Sequence, residues 1–200
     1  MPRFLAYRHC HEETNTAAVV TVALAELGLI EFDPELRRQE LTLHGLLQRG
    51  HFQQGRGLLI ANALQHLRDH GMRPQILHEA PRTAALRGRL ISEEPGFDFQ
   101  LLTDLGSPPP QPLLIERDFR EGVSTVLLES RAARARLPLH LLLVRRDRDR
   151  LLIMNSETGE NHVCSDAQLA GHLSTPVSFG AVAFAGSLYL YTGIAIRLDF

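Results

Sequence analysis

Lysine and tryptophan are both absent from the 200 residues of this chain, and cysteine occurs only twice. Because all 21 basic residues are arginines, chemistry that forms a Schiff base on a lysine is excluded. The two cysteines, Cys10 and Cys164, are too few for a disulfide framework or for a zinc site built from four cysteines. Such sparse cysteine use favours a reducing cytoplasmic location.

The chain also lacks a long apolar run and an excess of charge of either sign. No run of apolar residues approaches 18, so we expect no membrane span. The first ten residues, MPRFLAYRHC, contain no apolar core of a signal peptide. We therefore expect no signal peptide and a cytoplasmic location. The net charge is −2, with acidic and basic residues interleaved, which argues against nucleic acid or a membrane surface as a partner.

The order of the helical and strand patterns predicts the fold class. The chain has 200 residues, of which 44% are hydrophobic, and this is enough to bury a core. We expect a single domain over 1–200. Residues 16–28, TAAVVTVALAELG, predict a helix that is apolar nearly all round and therefore buried between layers. A second helix is predicted over 56–71, and strands are predicted at 4–7 and 73–79.

The second half of the chain is richer in strand patterns. Segment 113–122 predicts a helix that ends at a glycine, and 123–130 predicts a strand. A hairpin, a short helix and two closing strands, SFGAVAFA and SLYLYTGIAIRL, follow. Helices that come mostly first and strands that come last predict an α+β fold with a mainly antiparallel sheet.

The predicted hairpin, LPLHLLLVRRDRDRLLIMNSETGE at 137–160, carries a polar residue near each open end. With the turn at 146–149, His140 lies directly opposite Asn155, within reach of a side-chain hydrogen bond. The period of two places both residues on one otherwise aliphatic face. An imidazole held by an amide suits a catalytic base and its orienting partner. The alternatives are a core histidine satisfied by its neighbour, or a register slipped by one residue that separates the two side chains.

Cys10 is the candidate nucleophile for this base. It lies 130 residues before His140 and 145 before Asn155, as expected for papain-like proteases, in which that separation is about 130–150 residues. It also stands just before the first buried helix, and a helix N-terminus and a nearby imidazolium both favour the thiolate.

Several segments resemble the bacterial C39-like peptidase family of papain-fold cysteine peptidases. The segment HLLLVRRDRDRLLIMNSETG resembles the strand that begins with the catalytic histidine and leads to an Asp or Asn before a glycine-containing loop. ERDFREGVSTVLLES resembles the helix and strand that precede it, and TAAVVTVALAELGL resembles the central helix after the catalytic cysteine. The resemblance implies a papain-like fold, with N-terminal helices packed on the sheet.

The sequence departs from this family at the nucleophile. The family has a Cys-Gly pair directly before the small residues of the helix, and aligning Ala17 and Ala18 with those residues places Thr14 where the cysteine belongs. Two arrangements remain open. Either the helix begins near His11 with Cys10 at its N-terminus, or it begins at Thr14, a good capping residue, and the site is degenerate.

The leading interpretation is a thiol-dependent acyl-transfer enzyme, a cysteine peptidase, amidase or acyltransferase. Cys10 would attack a peptide or amide substrate, His140 would move the proton, and Asn155 would orient His140. The alternatives are an inactive C39-like pseudo-peptidase that binds a peptide or protein partner, and a biosynthetic tailoring acyltransferase or peptide processor, which implies a carrier or partner protein. We expect no cofactor and no metal. No substrate-binding residue is assigned.

Overall fold

A mainly antiparallel sheet carries the fold. The computed structural model describes residues 6–11, 14–31, 36–48, 60–93, 111–131 and 139–199. The helices are α1 (Asn15–Glu26), α2 (Leu36–Gln48), α3 (Ile60–Asp69), α4 (Ala80–Glu93), α5 (Ile115–Asp118) and α6 (Asp166–Ser174). The strands are β1 (Arg73–His78), β2 (Ser124–Arg131), β3 (Leu139–Asp147), β4 (Arg150–Asn155), β5 (Glu160–Cys164), β6 (Val182–Phe184) and β7 (Ser187–Asp199).

The strand order confirms the α+β class and the antiparallel sheet. Within the described ranges, seven strands form one sheet in the order β1-β7-β2-β3-β4-β5, with β6 paired beside β7. The pairings between these named strands are all antiparallel. The long β7 contacts three other strands and therefore links the first half of the chain to the second.

Both faces of the sheet are covered, and the first helix is buried between layers, as its apolar character predicts. α1 packs against α2, α3 and β3, and every residue from 15 to 24 is buried. Its face of the sheet includes Leu141 and Leu143, whereas Leu142 and Val144 point into a second core, together with Leu169 and Leu173 of α6. The alternating side chains of β3 thus enter two different cores, and its first six residues are all buried.

Three predicted elements differ from the observed ones. The helix expected over 113–122 is limited to the four residues of α5, because the Asp118 carbonyl accepts a hydrogen bond from Thr125 Oγ1 at 2.5 Å, not from a further helical turn. The strand expected over 178–185 is reduced to β6, which positive φ angles at Gly180 and Ala185 limit on both sides. In the strand expected at 4–7, residues 4 and 5 lie outside the described ranges, and residues 6 and 7 have no regular structure.

The hairpin of β3 and β4 forms, but the predicted register is wrong by two residues. Leu143 pairs with Met154, where Leu152 was expected, and Asp147 pairs with Arg150. The turn is therefore only two residues long, with Arg148 at a φ of 58°. A two-residue turn of this kind matches the twist of the strands better than the four-residue turn that we expected. Because the slip is even, His140 and Asn155 remain on one face as diagonal neighbours.

A bulge in β7 brings α4 against the sheet. Leu128 pairs with Ile194, but the next residue of β2 pairs with Tyr191, which leaves Thr192 and Gly193 as extra residues. Thr83 Oγ1 donates to the Thr192 carbonyl at 3.1 Å, so the bulge contacts the first turn of α4. Gly193 has a φ of +88°, and a Cβ there would lie 2.8 Å from Thr83 Oγ1. This approach requires glycine at position 193.

We expect Gly193→Ala to lower the free energy of unfolding by about 3 kcal/mol, because the methyl group adds a steric clash to a left-handed backbone. Gly122→Ala is the matched control, since Gly122 has a φ of +79° and nothing lies within 4 Å of the position that a Cβ would take there. The control should lose only about 1 kcal/mol. Urea unfolding measures both values, and equal losses would show that the contact with α4 is unimportant.

Candidate functional site

His140 and Asn155 meet at the open end of the hairpin. His140 Nε2 lies 3.2 Å from Asn155 Oδ1. His140 is the second residue of β3, and Asn155 is the last residue of β4. The sequence predicted this contact through direct opposition of the two residues, whereas in the structure they meet diagonally across the ladder.

The contacts of Asn155 decide the orientation of its amide. Its Oδ1 accepts the Glu157 backbone N–H at 2.9 Å and the Tyr189 hydroxyl at 3.3 Å, whereas its Nδ2 donates to the Ala185 carbonyl at 2.8 Å. An oxygen therefore faces the imidazole, and His140 donates through Nε2–H. In the neutral ring, Nδ1 is then the acceptor nitrogen. The Tyr189 ring stacks on the imidazole with centroids 5.4 Å apart, which further fixes the ring plane.

Asn15, the first residue of α1, belongs to the site although the sequence did not predict it. Its Oδ1 accepts the Leu141 backbone N–H at 2.7 Å, and its Nδ2 donates to Ser156 Oγ at 2.8 Å and to the Leu141 carbonyl at 3.3 Å. The same Nδ2 lies 3.3 Å from His140 Nε2. Because both amide hydrogens already have acceptors, this approach is consistent with the Nε2 hydrogen pointing at Asn155.

The start of α1 decides between the two arrangements that the sequence left open. The helix begins at Asn15 and Thr14 is its N-cap, so Cys10 does not stand at the helix N-terminus. The hydroxyl of Thr14 donates to the His11 carbonyl at 2.8 Å and accepts the His11 backbone N–H at 3.1 Å. The side chain that the helix start brings to the imidazole is the Asn15 amide.

Cys10 lies in an environment that disfavours the thiolate. Its backbone N–H donates to Glu40 Oε1 at 2.9 Å, and the Tyr7 hydroxyl donates to the other oxygen of the same carboxylate. Burial, followed by the charge of Glu40 and a hydrogen bond with it, raises the pKa of the Cys10 thiol; Tyr7 and Arg37 lower it less. We predicted that a helix N-terminus and an imidazolium would stabilise the thiolate. The groups described around Cys10 are instead Glu40, Tyr7 and Arg37.

The structure joins two of the three predicted catalytic residues. His140 and Asn155 are in contact, whereas the polar contacts described for Cys10 are with Glu40 and Tyr7. A carboxylate contributed by α2 takes the place that the imidazole was expected to take beside the thiol. The catalytic roles of Cys10, His140 and Asn155 remain a prediction.

The network around His140 is closed to solvent. His140 is 6% exposed, Asn15 is 4% exposed, and Asn155 and Ser156 are fully buried. His9 covers one side, with its Nδ1 3.1 Å from Ser156 Oγ and its ring centroid 6.1 Å from that of His140. This buried amide–imidazole–hydroxyl network is satisfied internally, as buried polar groups generally are. Such an environment fits the alternative named from the sequence, in which His140 is a core histidine whose hydrogen bonds are satisfied by neighbouring residues.

The described ranges contain no group of three or more His, Cys, Asp or Glu side chains placed to hold a metal ion. Among the same residues, no helix combines the length and the apolar character needed to cross a membrane. No protein-family model matches the chain, and a search of curated proteins finds no match. The resemblance to C39-like peptidases therefore remains a prediction that depends on the quoted segments.

We expect Asn15→Ala to lower the free energy of unfolding by about 3 kcal/mol, because it removes the side-chain hydrogen bonds to Leu141 and Ser156 and leaves buried groups unpaired. Thr21→Ala is the matched control. Thr21 is a buried polar residue of the same helix, and the described part of the chain gives its side chain no hydrogen-bond partner.

The control should lose about 1 kcal/mol or less. Thermal or urea unfolding of the parent and both variants gives the comparison. If the two variants lose the same stability, the hydrogen bonds of Asn15 do not hold α1 to the sheet.

Proposed function

We propose that this protein is a non-catalytic, C39-like papain-fold module that binds a peptide or protein partner. The observation that carries the proposal is the Asn15 amide, which lies 3.3 Å from the imidazole of His140 at the start of the helix where such a fold places its nucleophile. An amide has no acidic proton for the imidazole to remove and is not a nucleophile for acyl transfer.

The burial of the histidine supports the same proposal. A peptide carbonyl needs access to the general base and the nucleophile together, within hydrogen-bond distance of the base. His140 is only 6% exposed and Asn155 is fully buried. Their hydrogen bonds link β3, β4 and α1, which is a structural role for a retained histidine–asparagine arrangement.

The edge of the sheet supports a peptide as the partner. In the described part of the chain, β5 pairs only with β4, so its outer edge presents backbone groups to an added strand. Its Val163 side chain is 54% exposed. An extended peptide added to such an edge gains main-chain hydrogen bonds without requiring any reaction.

The second candidate is the thiol-dependent acyl-transfer enzyme. The geometry in its favour is the Nε2–H of His140 directed at Asn155 Oδ1, which leaves Nδ1 as the basic nitrogen. Cys10 is half-buried and lies next to His9 in sequence. This candidate requires the thiol to leave Glu40 and to approach the imidazole.

The alkylation rate of Cys10 by iodoacetamide, measured against pH, distinguishes the two candidates. For a non-catalytic module, the raised pKa keeps Cys10 as the thiol at neutral pH, so the rate should rise only above the ordinary thiol value of about 8.5. Glu40→Gln removes the charge that raises the pKa and should shift the midpoint of the rate profile to lower pH. His140→Ala should leave that midpoint unchanged.

Mass spectrometry of the labelled peptides separates Cys10 from Cys164, the internal control. Burial, with the charge of Asp166, raises the pKa of Cys164 to about 11, so its labelling should be slower at every pH tested. A rate plateau of Cys10 well below pH 8.5 that disappears in His140→Ala would indicate a thiolate–imidazolium ion pair. That result would overturn the proposal in favour of the enzyme.

A further inference from the structure

A groove of about 340 Å³ lies between the first three helices and the segment that follows α1. Its volume is within the range of about 300–1,000 Å³ that is typical of small-molecule sites. The buried side chains of Leu24 and Leu43 lie at its base, whereas Ile30 and His66 line it and are half-buried. The groove therefore combines an apolar base with side chains that a ligand is able to reach.

One face of α2 supplies the long wall of the groove. Positions 38, 39, 42, 43 and 46 line it, which is the spacing of one helical face. Arg38 is at one end of this face and Leu46 at the other, about 12 Å apart along the helix axis, the rise of eight residues. Arg38, Thr42 and Leu46 are all exposed, and the exposed fraction of Leu46 is 53%. The wall thus runs from a positive charge to an apolar end that solvent reaches.

Hydrogen bonds hold the wall opposite α2 in place. At the end of α1, the Leu29 backbone N–H donates to the Leu24 carbonyl at 2.9 Å, which turns the chain out of the helix. Gln39 Nε2 of α2 then donates to the Glu31 carbonyl at 3.4 Å. These contacts on either side of Ile30 keep it beside α2. The described walls are therefore in position before a ligand binds, which lowers the cost of binding.

Arg38 supplies the charge of the groove. The described lining contains no second arginine and no aspartate or glutamate, and Arg38 forms no ion pair in the described part of the chain. Burial lowers the pKa of His66, the charge of His70 lowers it further, and Asp69 opposes this less, so the His66 ring is neutral at pH 7. One unpaired guanidinium beside an apolar surface favours a ligand with one negative charge.

We propose that the groove between α1, α2 and α3 binds an elongated monoanion, with a medium-length acyl-chain carboxylate as its chemical class. The carboxylate pairs with the guanidinium of Arg38, and the chain lies along the α2 face, over Thr42 and toward Leu46. This arrangement covers an exposed leucine and removes methylene groups from water, which favours binding. The proposal does not depend on the proposed function, because these side chains take no part in the His140 network.

Octanoate is the probe. Octanamide, which has the same chain without the charge, and butyrate, which has the charge with a shorter chain, are its controls. Titration of each compound against the ¹³C-methyl resonances of Ile30 and Leu46, at pH 7 and about 150 mM salt, measures binding. We expect saturable shifts with octanoate and an affinity about two- to fivefold weaker for octanamide, the ratio that one exposed ion pair supplies.

Butyrate should bind about tenfold more weakly or worse, because four methylene groups are missing. Equal affinities for octanoate and butyrate, or for octanoate and octanamide, would overturn the proposal. Absence of a saturable shift with octanoate would also overturn it and would leave the groove to a segment of a protein partner.

Two arginine variants test the position of the charge. Arg38 lines the groove, whereas Arg37, the neighbouring exposed arginine of α2, is not part of the described lining and acts on Cys10 instead. We expect Arg38→Gln to weaken octanoate about two- to fivefold and to leave octanamide unchanged. Arg37→Gln should change neither affinity. Equal losses in the two variants would indicate a general attraction to the positive surface and would overturn the pairing with Arg38.

Two phenylalanine variants test the location. Thr42 and Leu41 are both exposed residues of α2, but only Thr42 belongs to the described lining. A phenyl ring at position 42 fills the middle of the α2 face, so octanoate should bind about tenfold more weakly, or worse, to Thr42→Phe and with unchanged affinity to Leu41→Phe. Equal affinity in both variants would place the binding elsewhere and overturn the proposal. The thiol of Cys10 plays no part in these measurements, so they succeed or fail independently of the alkylation experiment.

Discussion

The side chain of Asn15 holds the first helix to the sheet, and the arrangement of the candidate site depends on it. A buried amide is costly unless all its hydrogen-bonding groups have partners. Asn15 satisfies them on the backbone N–H and carbonyl of Leu141, as a neighbouring strand would, and on Ser156 Oγ. These contacts set the position of α1 along β3, and therefore which residue of the helix start lies beside His140. They also leave Cys10 outside the helix, next to Glu40 of α2.

The same face of the sheet carries two histidine arrangements with different chemistry. His140 donates through Nε2 to the oxygen of an amide, a partner that carries no charge. His172 contacts the fully buried carboxylate of Glu129, and burial raises the pKa of that carboxyl group. Glu129 and His140 are direct neighbours across β2 and β3, yet their side chains belong to separate networks. The two histidines therefore present the same ring nitrogen, Nε2, to chemically different partners, an amide oxygen and a carboxylate.

Much of the fold was predictable from local patterns, and the errors have identifiable causes. The apolar character of residues 16–27 all round the helix correctly predicted a helix between layers. The hairpin was predicted with the correct face but with a turn two residues too long, because the run of alternating Arg and Asp does not mark which residues form the turn. The helix at 113–122 was overestimated, since the hydrogen bond from Thr125 that ends α5 comes from the following strand. Asn15 was not predicted, although a polar residue that begins a buried and mainly apolar helix is a recognisable signal.

The sequence by itself determined the α+β class, the antiparallel hairpin and the shared face of His140 and Asn155. The period of two along a strand is a local property, and it survives a register slip of two residues unchanged. Only the tertiary structure decided what meets the imidazole and what meets the thiol. The partners of His140 include a residue 125 positions away, and the carboxylate beside Cys10 is 30 positions away. Such contacts depend on how helices dock on the sheet, and no local pattern in the chain specifies that docking.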